Sequence, residues 1–178
     1  YFSFEDDEFG SVAPKGFTTV DADHKATVQP LMINYPNIGN AYAYIVINQQ
    51  PEPEGADWRN IYPRSGDQLL ATMATADGTE AVDWIISDQM TARNDAKFRF
   101  YAKSYDGDNT YHPWAYLTVL VSTTDNAVSS FTPLSGFTSV QVPHKNNNDS
   151  QTSWTEFDVD LSAYAGQKIY IAVRNNTP

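Results

Sequence analysis

Twenty-two acidic side chains against eleven basic ones make carboxylates the groups most available for chemistry in this 178-residue chain. Their spacing is of two kinds. Glu5-Asp6-Asp7-Glu8 places four acids in consecutive positions, a run that forms either a solvated turn or a hard-cation site, since calcium collects about six to eight oxygens. Glu156, Asp158 and Asp160 recur at every second residue, which puts all three on one face of a strand. Asp106-Gly107-Asp108-Asn109 reads like the start of a calcium loop, but the bidentate Glu expected downstream is missing and Asp-Gly is a common hairpin turn.

Other chemistries are missing at the level of motif. There is no Cys, so no disulfide, thiolate metal site or cysteine nucleophile. G-x-S-x-G, H-E-x-x-H, phosphate-loop and dinucleotide fingerprints do not occur. His24, His112 and His144 are scattered without ligand spacing, so no catalytic residues are assigned and no enzyme is expected. A formal net charge of -11 repels nucleic-acid backbones and anionic membrane surfaces, leaving cations, neutral glycans or basic proteins as partners. No apolar run approaches the roughly 20 residues that span a bilayer, and the N-terminus lacks the basic and apolar regions of a signal peptide.

The elements that position these groups read as strands. Thr155, Phe157, Val159 and Leu161 alternate with Trp154, Glu156, Asp158 and Asp160, predicting a half-buried strand with its acids in water. After the turn at Ala165-Gly166-Gln167, Ile169, Ile171 and Val173 alternate with Lys168, Tyr170 and Arg174 in a second strand of the same kind. Phe98, Phe100 and Ala102 give another amphipathic strand, and Trp114 to Val121 reads as a central strand apolar on both faces. Residues 42–47 suit a strand buried on both faces, Leu69 to Met73 a further strand, and Tyr1 to Glu5 the start of one. Residues 26–40 and 49–60 read as loops, the second carrying Trp58. An aromatic on such a loop either stacks on a pyranose face or folds back onto the sheet edge. Amphipathic strands need a second sheet to cover them, so the expected fold is one all-β sandwich domain over residues 1–178.

Several segments together resemble a known family. They are Trp154 with the acidic strand and D-L-S-A-Y-A-G-Q-K-I-Y-I-A-V-R after it, Ala81-Val82-Asp83-Trp84-Ile85-Ile86-Ser87, Ser65-Gly66-Asp67, and Phe4-Glu5, Pro14, Gly16-Phe17 and Asp21-Ala22-Asp23. This order is similar to that of the cleaved-adhesin or choice-of-anchor J domains, extracellular modules of Bacteroidetes-type bacteria related in plan to MAM domains and carbohydrate-binding modules. The resemblance implies a jelly-roll β-sandwich, secretion or cell-surface display with any signal peptide already removed, and a place within a larger secreted protein. It implies non-catalytic binding of a glycan or a host or cell-surface protein, with Trp58 as the candidate ligand contact, and no membrane insertion. It also implies structural calcium, with Glu5, Asp21, Asp23 and Asp67 as ligand candidates. In family members a further strand with an Asp-Asp pair follows the position of Arg174, whereas this sequence ends at Pro178, so the domain is expected to lack that strand. The strand around Trp84 is read as structural.

One enzyme class stays as the alternative. Glu156-x-Asp158-x-Asp160 resembles the Glu-x-Asp-x-Glu strand of retaining endoglucanases of the laminarinase type, which share the jelly roll. The outer two acids lie roughly 13 Å apart along a strand, against about 5 Å for a retaining pair. Convergence on a bound sugar would have to close that gap, and the third acid is the shorter Asp.

Overall fold

The computed structural model describes residues 2–29, 35–48, 63–104, 115–143 and 154–178. Eleven strands run through them, with short 3-10 turns at Val128–Ser130 and Ser162–Tyr164 and no α-helix among the described residues. In order they are β1 (Phe17–Asp21), β2 (Ile45–Asn48), β3 (Gln68–Ala71), β4 (Asp83–Ser87), β5 (Met90–Thr91), β6 (Lys97–Ala102), β7 (Tyr116–Ser122), β8 (Thr132–Pro133), β9 (Val140–Gln141), β10 (Thr155–Asp160) and β11 (Lys168–Asn175). The large sheet has the order β1-β4-β11-β7-β8, with β5 added to β11 and β9 to β7. Two ribbons, β10-β6 and β2-β3, complete the architecture, and every strand pair is antiparallel.

The expected sandwich is present. Leu117, Val119 and Val121 of β7 and Ile169 and Ile171 of β11 point to one face of the large sheet, where Phe157 and Val159 of β10 and Phe98 and Phe100 of β6 meet them. Phe157 stacks on Phe100 with ring centroids 4.9 Å apart and planes 8° from parallel, and Phe100 in turn lies 5.0 Å from Phe98. The β2-β3 ribbon covers the same face further along, bringing Ala43 and Tyr44 against Ile85 with Phe17, Leu70 and Val173 around them. On β10 the alternation holds as read, with Phe157 and Val159 buried and Glu156, Asp158 and Asp160 exposed.

Two readings are corrected. β11 is not half-exposed: it lies between β4 and β7, and Ala172 is as buried as Ile169. Its second face joins Trp84, Ile86 and Leu120 in a cluster that Phe131 closes, at 5.9 Å from the Trp84 ring. Nor do residues 2–10 form a strand. Phe4 sits at a positive φ of 62°, a left-handed geometry that breaks extended structure, and the segment turns back toward β3.

The aromatic stack sets a measurable expectation. Phe157→Ala should lower the unfolding free energy by roughly 3–5 kcal/mol, seen as a lower urea midpoint at unchanged slope. A loss under about 1 kcal/mol would show that this stack contributes little to the core.

Candidate metal centre

Antiparallel register decides which acids meet. β1 pairs with β4 so that Asp21 faces Asp83, and β4 pairs with β11 so that Asp83 faces Asn175. Directly paired residues project to the same side of a sheet, so the end of β1 delivers Asp21 beside Asp83. Two residues on, the chain turns, and Asp23 folds back to accept a 2.7 Å hydrogen bond from the Val82 amide on its Oδ2. The result is a group of three carboxylates, Asp21, Asp23 and Asp83, each offering an oxygen within 4.8 Å of the others. Among the described residues no other group of three or more acids and histidines meets that criterion.

The backbone holds the two turn acids in place. The His24 amide donates to Asp21 Oδ1 at 2.6 Å, and the Lys25 amide donates to Asp23 Oδ1 at 2.9 Å. These are Asx-type turns, in which a short carboxylate satisfies amides ahead of it in the chain. His24 adopts φ 56°, which fits the tight reversal after Asp23.

Asp83 differs in kind. It is 4% exposed at the head of a strand that is otherwise wholly buried. Thr72 Oγ1 donates to its Oδ2 at 3.4 Å, and Asn175 Nδ2 donates to Thr72 Oγ1 at 2.9 Å. Burial raises its pKa most, the negative charges of Asp23 and Asp21 add to that, and bonds from Asn175 and Thr72 only partly oppose it, leaving the group at about 8. The neighbouring Tyr44 phenol, which donates to the Val173 carbonyl at 3.3 Å, is itself raised well above the usual range, by burial first and then by the Asp83 charge. A dense, all-oxygen, mutually repelling set of this kind suits a hard divalent cation, which would offset the repulsion and favour ionised Asp83.

The four ligand candidates therefore separate into two places. Asp21 and Asp23 are in the carboxylate group, whereas Glu5 and Asp67 are not. Glu5 accepts from the Asp67 amide on both oxygens at 3.2 and 3.1 Å, and from the Gln68 amide on Oε1 at 3.0 Å. Gln68 Nε2 answers by donating to the carbonyls of Phe4, Glu5 and Asp7 at 2.8, 3.2 and 2.9 Å. Glu5 is thus a tether that fastens the N-terminal turn to the start of β3. Gly66 is required there, since at φ +68° an added Cβ would lie 2.3 Å from Glu5 Oε1. Trp58 and the 106–109 turn lie outside the described residues.

Asp83 is not singled out by the sequence, because it opens an apolar segment that reads as structural. The available signal was an acid opening a fully apolar segment two residues past Ala81. What the sequence did not supply was the β1-β4 register that sets Asp21 opposite it.

The three acids of β10 have a different setting. Register places Glu156 opposite Tyr101, Asp158 opposite Arg99 and Asp160 opposite Lys97. Arg99 Nε lies 3.2 Å from Glu156 Oε1, and its Nη2 lies 2.9 Å from Asp158 Oδ2, which Lys97 also approaches at 3.2 Å. The Tyr101 hydroxyl donates to Glu156 Oε2. Arg99 and Lys97 hold Asp158 below the usual carboxylate range, and bonds from Ser162 do the same to Asp160. A glycosidase general acid requires a carboxyl raised toward neutrality; Asp158 and Asp160 are instead held in the ionised form, and Glu156 and Asp158 are tied to cross-strand cations.

Fold and site together define an all-β sandwich module with an acid cluster at one end. The family model of the cleaved adhesin domain matches residues 54–177, and the chain belongs to that family. Among solved structures, the K2 cleaved adhesin domain of Lys-gingipain is similar at TM-score 0.60 and 21% identity, over 98% of this chain and 88% of that one. The K1 cleaved adhesin domain of Lys-gingipain from Porphyromonas gingivalis aligns at TM-score 0.61 and 21% identity, over 99% and 88%. At this identity the likeness speaks for the fold. A search of curated protein sequences returned no match.

The raised Asp83 carboxyl gives a pH dependence of defined sign. Its unfolded value is 3.8 and its folded value about 8, so the stability linked to its protonated form is fully present below 3.8 and lost as pH rises through 8. Chelator-treated protein should therefore melt at falling temperature between pH 5 and 8, and Asp83→Asn should flatten that fall. A wild-type melting temperature that climbs over the same range would contradict the assignment.

Proposed function

We propose that this chain is a non-catalytic, extracellular adhesin-type module whose sandwich is stabilised by one calcium ion at Asp21, Asp23 and Asp83, and whose loops bind a glycan or a host or cell-surface protein. Membership of the cleaved adhesin family carries the binding role. The gathering of two turn carboxylates with one buried strand carboxylate supports the metal. Bound calcium would supply charge neutralisation and nothing else: it would join the β1 turn to β4 and let Asp83 ionise without penalty. No described helix is long and apolar enough to cross a membrane.

A ligand that binds only the native state stabilises it by about 2.7 kcal/mol at a hundredfold excess over its Kd. For a domain this size that corresponds to a rise of several degrees in melting temperature. Calcium should produce that rise in chelator-treated protein and magnesium much less, because magnesium demands tighter octahedral geometry and gives up water reluctantly. Asp23→Asn should remove the calcium response. Glu5→Gln should lower the melting temperature by a similar amount with and without calcium, as expected for a tether. Equal melting curves with calcium and with chelator would eliminate the metal from this reading. Incubation with a β-glucan should release no reducing sugar from wild type or Glu156→Gln; turnover by wild type that disappears in Glu156→Gln would instead establish the glucanase alternative.

A further inference from the structure

A directed chain of hydrogen bonds runs between strand ends and finishes on Asp83. It begins at the Tyr116 amide, at the head of β7, which donates to Thr177 Oγ1 at 3.1 Å. Thr177 Oγ1 donates to Asn175 Oδ1 at 2.7 Å, and the Thr177 amide donates to the same oxygen at 3.1 Å. Asn175 Nδ2 donates to Thr72 Oγ1 at 2.9 Å, and Thr72 Oγ1 donates to Asp83 Oδ2 at 3.4 Å. Asn175 and Thr177 are buried and Thr72 is half-buried, so these groups depend on one another for partners.

The backbone sets the direction of this chain. A backbone N–H can only donate, and a hydroxyl carries one proton. Because the Tyr116 amide donates to Thr177 Oγ1, that hydroxyl gives its own proton to Asn175 Oδ1. Because the Thr177 amide donates to Asn175 Oδ1 as well, the Asn175 side chain cannot be turned round: its NH2 would then meet an N–H. Asn175 Nδ2 is therefore fixed toward Thr72, whose Oγ1 must accept, and the single Thr72 proton is left for the carboxylate. The link to Asp83 is the longest of these contacts, so its aim depends on the shorter ones behind it.

We infer that Thr72, oriented by Asn175 and Thr177, is the positioning residue of the metal centre, holding the Asp83 carboxylate beside Asp21 and Asp23 for a divalent cation. Partners that hydrogen-bond a ligating carboxylate from behind typically change metal affinity by about 10–100-fold. The placement fits that role. Thr72 directly follows β3 of the covering ribbon, while Asp83 and Asn175 lie opposite each other on β4 and β11, so the chain joins ribbon to sheet where the acids gather. A second polar network serves as its contrast. Thr118 pairs with Arg174 and so lies on the other face, where its Oγ1 donates to Asn176 Oδ1 and accepts from the Ser139 amide, both at 2.9 Å, and neither bond ends on a carboxylate. This role for Thr72 rests on the calcium reading given above.

The test is calorimetric calcium titration of chelator-treated wild type, Thr72→Val, Thr72→Ser and Thr118→Val. Thr72→Val, which keeps the shape and removes the hydroxyl, should raise the calcium Kd at least about tenfold, whereas Thr72→Ser, which keeps the hydroxyl, should stay within about twofold of wild type. Thr118→Val should lower the melting temperature yet leave the Kd unchanged, which separates positioning from general stability. In wild type the Asn175 side-chain amide resonance should shift on calcium addition while that of Asn176 stays, a readout that still decides should Thr72→Val fail to fold. A Thr72→Val Kd equal to wild type, an equal loss of affinity in Thr118→Val, or an unmoved Asn175 amide in calcium-bound protein would overturn this role and leave the calcium reading standing. Wild type that binds no calcium would overturn both.

Discussion

Three carboxylates converging within 4.8 Å, one of them buried at the head of a core strand, are a mutually repelling arrangement held in place by the large sheet. Asp83 cannot move away: its strand is hydrogen-bonded on both sides, by β1 and by β11, and its neighbours Trp84, Ile85 and Ile86 are anchored in two different apolar clusters. Asp21 cannot move away because the same ladder that forms β1 ends on it. Asp23 is held by the Val82 amide, itself adjacent to Asp83. Repulsion is thus built in by the register of the large sheet, and the stable ways to relieve it are to keep a proton on Asp83 or to bring in a cation.

The two ribbons opposite the large sheet divide the work. β10-β6 packs Phe157, Phe100 and Phe98 against the large sheet, and turns its charged face to water in a self-compensating ladder. β2-β3 packs over β4 and β11 and delivers Thr72 to Asp83 at its far end, while Glu5 and Gln68 lock the N-terminal turn onto its near end. Arg174 occupies the reverse side of the large sheet from the Asp83 group.

Much of this was legible in the sequence, and the parts that were not have identifiable causes. Strict alternation made β10 and β6 readable, because one face meets the core and the other meets water. The same pattern misled at β11, where Ala172 is too small to register as a core residue yet fills the space beneath Leu120 and Trp84. Residues 2–5 alternate as a strand would, but Phe4 takes a left-handed conformation so that Glu5 can reach the Asp67 and Gln68 amides. Asp21 and Asp23 were reached through the family resemblance; their partner Asp83 was not, because pairing between strands about 60 residues apart is a tertiary fact with no local signature. The resemblance to cleaved adhesin domains identified the fold and family, while the division of the acids into a tether and a cluster emerged only from the register.

The measurement closest to the central claim is calorimetric titration of chelator-treated protein with calcium near pH 7.5, repeated in two buffers of different ionisation enthalpy. Asp83 sits at about 8 without metal and must be deprotonated to bind it, so uptake of one calcium per chain at this pH should release roughly three quarters of a proton. Asp83→Asn should lose both the binding and the proton. Calcium binding that releases no proton and survives Asp83→Asn, or no binding at all, would contradict it.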